Sequence, residues 1–212
     1  MDRVTTSIRP DYAGAIAYAL NRLRTELPAQ LHYHNVMHTE GDVLPAVVRL
    51  ARLSNVAEPD LHLLEVGAAF HDLGQIRTNL GHELIGMEIM SGVLPGLGFS
   101  PAEIARVSGM IFATRMPQTP LNEEQKLLAD ADLDSLGREE FFETSKALWQ
   151  ERALFGLVIP WDTWLENQLD FLRTHRYFTS VAQNLRQEGK QKNIELLERL
   201  IREEKIASGT SG

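Results

Sequence analysis

Residues 66–74 read Val66-Gly67-Ala68-Ala69-Phe70-His71-Asp72-Leu73-Gly74. Five small or apolar residues in a row belong to a buried helix, and ending such a helix in a charged Asp beside a His is costly unless a partner compensates the charge. Neighbouring helical positions point about 100 degrees apart, yet at a last turn both side chains can reach one point beyond the end. A cation bound there would supply the missing charge. A lone His-Asp dipeptide also fits a capping His with a solvated Asp, so the reading depends on what the rest of the chain brings to the same point.

Working outward, Pro59-Asp60 starts this helix, and Gly74 is placed to end it. Upstream, Tyr12, Ile16, Ala19, Leu23 and Leu27 recur at helical spacing between Pro10 and Pro28. A connector follows at 31–35, then a helix through Val43, Val47, Leu50 and Ala51 that Pro45 should kink or delay. Downstream, 80–94 is helical with Leu84, Met87 and Met90 on one side. Ser100-Pro101-Ala102-Glu103 is a capping box opening a helix toward Thr114, and Asn122 with Gln125 repeats that logic for a helix stopped near Gly137. Helical periodicity continues over 139–155, 160–175 and 179–205. There is no Asn-Gly or Asp-Gly hairpin turn and no sustained period of two, so the expected fold is an all-α, single-domain helical bundle. It should span residues 1–207, with a core over 31–137, carboxy-terminal helices over 138–207 and a flexible tail at 208–212.

A chain of 212 residues with 43% hydrophobic content can bury one sizeable core. Its 29 acidic against 21 basic residues, a formal charge of -8, argue against a surface that tracks a nucleic-acid polymer. An anionic substrate would have to be captured locally. There is no cysteine, so thiolate ligands, disulfides and a cysteine nucleophile are excluded, and a metal can be held only by His, Asp, Glu or backbone oxygen. Residues 1–10 contain no apolar run of signal length, and no stretch reaches the roughly 18 apolar residues of a membrane span. The expected location is the cytoplasm, with no membrane partner.

Two further segments carry candidate ligands. His32, His34 and His38 crowd into eight residues, a density that suits metal binding or general acid chemistry, or else a hydrated loop with no role. Asp130, Asp132 and Asp134 follow at two-residue spacing. Asp132 has Leu128 and Leu136 four positions either side and lies on an apolar stripe. Asp130 has Lys126 and Asp134 there and should face outward as a solvated or capping group.

His38, then His71-Asp72, then Asp132 resemble the His, His-Asp, Asp order that defines the HD-domain phosphohydrolase superfamily, over roughly residues 31–137. Tyr33-His34-Asn35-Val36-Met37-His38 is similar to the Tyr-His-Asn-x-x-His signature of cyclic-nucleotide phosphodiesterases in the same superfamily. The resemblance implies an HD-type bundle that holds a divalent metal ion (Mn, Mg, Fe, Ni, Co or Zn) through His38, His71, Asp72 and Asp132. It implies His34 as general acid and a small phosphorylated substrate, a nucleotide or cyclic nucleotide among them. Two-metal members place extra histidines before the final Asp, and here only His82 lies in that interval, so one metal is expected. Asp72 is the expected acceptor of the water proton. His82, Glu83, Arg77 and Arg115 are the candidates for contact with substrate.

Two rivals remain at this level: a catalytically silent metal-binding regulatory or ligand-sensing module, and a helical interaction domain with no metal. Trp149, Trp161, Trp164, Phe171 and Tyr177 read as packing groups. The charged carboxy-terminal helix reads as a solvated face suited also to a homodimer contact.

Overall fold

The computed structural model of the chain describes residues 9–209. Helices account for the regular structure, and no strand occurs among the described residues. In chain order they are α1 (Tyr12–Glu26), α2 (Leu44–Leu53), α3 (Glu58–Phe70), α4 (His82–Val93), α5 (Pro101–Thr114), α6 (Glu123–Asp132), α7 (Phe141–Leu154), α8 (Trp161–Thr174) and α9 (Ser180–Gly209). None of the helices is long and apolar enough to cross a membrane.

α3 is the centre of the bundle. Leu61, Leu63, Leu64 and every residue from Val66 to Phe70 are buried, because α1, α2, α5 and α6 surround it. Its neighbours are started by local chemistry. Asp11 caps α1 by accepting from the Gly14 amide at 2.8 Å. Ser100 and Glu103 form both halves of the capping box of α5, and Asn122 accepts from the Gln125 amide at 3.0 Å to start α6.

Pro45 delays the helix rather than kinking it. It lies in the first turn of α2, and residues His38–Val43 before it form a π-helical turn. Proline has no amide hydrogen and its ring crowds the carbonyl four residues back, so the wider turn lets the chain enter α2 without that clash. His38 is the first residue of the π turn and is buried.

Gly74 does not cap α3 in the left-handed conformation. α3 ends at Phe70, and Leu73–Ile76 is a 3₁₀ turn on which α4 lands. A Cβ on Gly74 would sit 1.9 Å from the His82 carbonyl oxygen, so the glycine is needed for close approach. α6 also stops short of Gly137. It closes at Asp132, and a 3₁₀ turn covers Asp134–Gly137.

That 3₁₀ turn is the seat of α9. Arg186 donates to both carboxylate oxygens of Asp134 at 2.7 and 2.8 Å, and Arg49 of α2 adds a third bond at 2.9 Å. The Asn193 amide bridges the carbonyls of Leu136 and Arg138. Gly189 passes so close that a Cβ there would lie 2.1 Å from the Gly137 oxygen. Asp130 is likewise not a solvated group. It is 1% exposed and accepts from the amides of Phe178 and Thr179 and from the Thr179 hydroxyl, anchoring the entry to α9. The sequence period missed this because the cover comes from residues about fifty positions away.

Two outcomes follow for stability. Gly189→Ala must push α9 off the 3₁₀ turn, and should lower the melting temperature by on the order of 5 °C in thermal unfolding; an unchanged value would mean that the crossing is not tight. Burial, Lys190 and Arg176 depress the His175 pKa from 6.5 to about 4. Between those values the unfolded chain holds a proton that the native chain does not, so stability falls as pH drops through that window. Relative to His175→Gln, the native protein should lose on the order of 2 kcal/mol between pH 7 and pH 4 in denaturant titrations.

Candidate metal centre

The end of α3, the π turn before α2 and the end of α6 meet at one point. Ligand atoms of His38, His71 and Asp132 all lie within 4.8 Å of one another. His38 Nε2 is 3.3 Å from Asp132 Oδ1 and 3.6 Å from Asp72 Oδ2, and His71 Nε2 is 3.5 Å and 3.2 Å from the same two atoms. His71, 1% exposed, donates from Nδ1 to the Ala68 carbonyl at 2.7 Å. With Nδ1 committed there, Nε2 is the ring nitrogen that faces the carboxylates and is free to ligate an ion once its proton is displaced.

Within this cluster His71 Nε2 and Asp72 Oδ2 are buried and have no hydrogen-bond partner. Two such atoms, 3.2 Å apart and out of hydrogen-bonding alignment, leave a cost of desolvation that a shared cation removes. The donor set is two imidazoles and two carboxylates, which suits a borderline or hard divalent ion. These four residues could hold one.

The electrostatics have the same origin. Burial works against charge on His71, but Asp72 and Asp132 more than offset it and raise its pKa well above the ordinary imidazole value. Burial pushes both carboxyls up, and the imidazoles overcome it: Asp72 is held well below the usual range and Asp132 at about 2.

The segment before the π turn is organised by Asn35. Its Oδ1 accepts from the amides of Met37 and His38 at 2.8 and 3.3 Å, so it caps the turn that presents His38. Tyr33 packs its ring on that of His38, with centroids 4.8 Å apart. The His34 ring stands 6.1 Å from His38 and 5.8 Å from His82, beside the cluster and outside it.

Glu151 of α7 completes this arrangement, and nothing in the local sequence marked it. It is 1% exposed. Its Oε2 accepts from the amides of Tyr33 and His34 at 2.8 and 3.0 Å, while Oε1 pairs with His34 Nδ1. Burial raises its pKa, but His34 and these amides more than offset that and keep it a carboxylate. With Nδ1 committed, Nε2 is the ring nitrogen of His34 left to exchange a proton.

On the opposite side His82 Nε2 bonds Asp72 Oδ1 at 3.1 Å. Burial opposes charge on His82, and Asp72 overrides it, so its pKa stands at about 9. Gln75, buried in the 3₁₀ turn, lies 3.0 Å from His82 Nδ1. Glu83 is buried beside His82. Arg77 and Arg115 are not in this contact network: Arg77 pairs with Glu88 at the surface, and Arg115 lies over the Phe112 ring.

No protein-family model and no curated protein matches the sequence. Among solved structures the fold is that of HD-domain proteins. The chain is similar to a predicted HD superfamily hydrolase from an uncultured Thermotogales bacterium, with 23% identity over 88% of this chain and 91% of that one and a TM-score of 0.60. It is also similar to Bacillus subtilis YpgQ, solved in complex with ADP, with 18% identity over 89% of this chain and 96% of that one and a TM-score of 0.61.

The charge state of His71 gives a direct test. Metal uptake by chelator-treated protein has to displace the proton that Asp72 and Asp132 stabilise, so it should release about one proton per ion near pH 7. Calorimetry in buffers of different ionisation enthalpy reads that proton. Asp72→Ala should retain no ion in elemental analysis while keeping its helical circular dichroism; full retention would remove Asp72 from the ligand set.

Proposed function

We propose that this chain is a metal-dependent phosphohydrolase that cleaves a phosphate ester of a small molecule. The observation that carries the reading is the pair of buried, unpartnered atoms, His71 Nε2 and Asp72 Oδ2, facing His38 and Asp132. The HD-type fold of the two solved neighbours supports it at the level of architecture. A nucleotide is the favoured substrate class, since YpgQ was solved with ADP.

His38, His71, Asp72 and Asp132 would hold the ion, which supplies Lewis-acid polarisation of a phosphoryl oxygen and acidifies a bound water. Asp72 accepts the proton of the attacking water, with its other oxygen held by His82. His82 and Glu83 flank the approach, and contact with a phosphate oxygen falls to His82 rather than to Arg77 or Arg115. His34 delivers a proton from Nε2 to the departing alkoxide, and Glu151, paired with Nδ1, positions the ring.

The reading as a silent regulatory module is disfavoured by the same pair. A site that only sensed a ligand has no use for a buried carboxylate that fixes one tautomer of a histidine beside the ligand atoms.

His34→Ala should keep its metal content and lose about 10²- to 10⁴-fold in kcat on alkyl phosphate esters, with a much smaller loss on nitrophenyl esters. Equal losses on both would make His34 a structural group. Glu151→Gln should keep its metal content and show the same leaving-group dependence, with a clear loss of kcat on alkyl esters and a much smaller one on nitrophenyl esters; equal losses on both would reduce Glu151 to a fold contact.

A further inference from the structure

α8 and α9 run antiparallel, as the contacts of Lys190 with His175, Arg173 with Glu198 and Lys205 with Glu166 require. Between them opens a cavity of about 600 Å³ lined by both apolar and polar side chains. Gln183, Gln187, Lys190 and Gln191 lie on one face of α9 by their spacing, and Arg173 and Arg176 meet them from α8 and the turn after it. No residue of the metal centre lines this cavity.

Its charge is one-sided. Among the described residues Glu198 is the one carboxylate on the wall, and it is bonded to Arg173 at 2.7 Å. Arg176 donates from Nη1 alone to the carbonyls of Arg173 and His175, which carry no charge to offset its own, and Lys190 donates to the His175 carbonyl at 2.8 Å. Among the described residues neither cation has a carboxylate within ion-pair distance. Lys190 is only 1% exposed, with its ammonium 5.3 Å from the centre of the Tyr177 ring. A buried ammonium without a counter-ion is costly, and burial and Arg176 accordingly lower the Lys190 pKa. His175, kept neutral there, adds no charge of its own. Such a local positive field runs against the formal charge of -8.

We propose that this cavity is a second ligand site, separate from the metal centre, which takes a small multivalent phosphate between Lys190 and Arg176, with Gln187 as a hydrogen-bond partner, since Gln183 and Gln191 already donate to the Tyr177 carbonyl and to Glu195. Arg and Lys together suit phosphate oxygens, and amides tolerate either donor or acceptor groups on the ligand. The volume admits pyrophosphate or a nucleoside diphosphate.

The test is calorimetric titration of the full chain with pyrophosphate in the presence of a chelator, which removes any contribution from a bound metal. One pyrophosphate per chain should bind. Arg176→Gln, at an exposed position that leaves the core intact, should weaken it by about tenfold or more. Lys190→Met should do the same if it folds, and Asp132→Asn should bind as the native chain does. Titration with ADP separates the sources: affinity equal to that of pyrophosphate identifies a site for phosphate groups alone, and tighter binding identifies a nucleotide site. No heat at millimolar pyrophosphate, binding indifferent to Arg176→Gln, or binding abolished by Asp132→Asn would each overturn the proposal.

Discussion

The hydrogen bond from His71 Nδ1 to the Ala68 carbonyl is one turn long, yet the geometry of the centre depends on it. It uses a carbonyl at the end of α3 that has no partner further along the helix, and in doing so it fixes the imidazole tautomer. Nε2 then points in a single direction. Every other element at the centre is arranged around that direction: the π turn that advances His38, the close of α6 at Asp132, and α4 pressed against Gly74 so that His82 reaches Asp72.

Helix formation was legible from local chemistry, because caps and apolar periods act over a few residues. Ser100 with Glu103, Asn122 with Gln125 and the apolar run before His71 each state their own structure. The apolar stripe around Asp132 pointed to the carboxylate that lies against His38 and His71, since Leu128 and Leu136 are both buried. What periodicity could not show was cover arriving from elsewhere in the chain. Asp130 looked solvated beside Lys126, yet the segment leading into α9 buries it, and no local pattern singles out Glu151, which sits under Tyr33 and His34.

Of the two effects expected of Pro45, the delay is the one the structure shows, with α2 starting at Leu44, whereas Gly74 has a different task from the cap expected of it. Proline rules are written for the α-helix, and a π turn relieves the same clash by widening the path. Glycine rules favour left-handed caps, whereas at Gly74 the requirement is the absence of a side chain where two backbones nearly touch.

The place of Glu151 on α7 bears on how the chain is divided. A boundary drawn at residue 137 on grounds of sequence would leave all four candidate ligands on the amino-terminal side. It would also strip His34 of its carboxylate, Asp130 of Thr179 and Asp134 of Arg186. The helices beyond that point are therefore not an appendage. α7 supplies the carboxylate behind His34, and α9 with the segment before it clamps Asp130 and Asp134 on either side of Asp132.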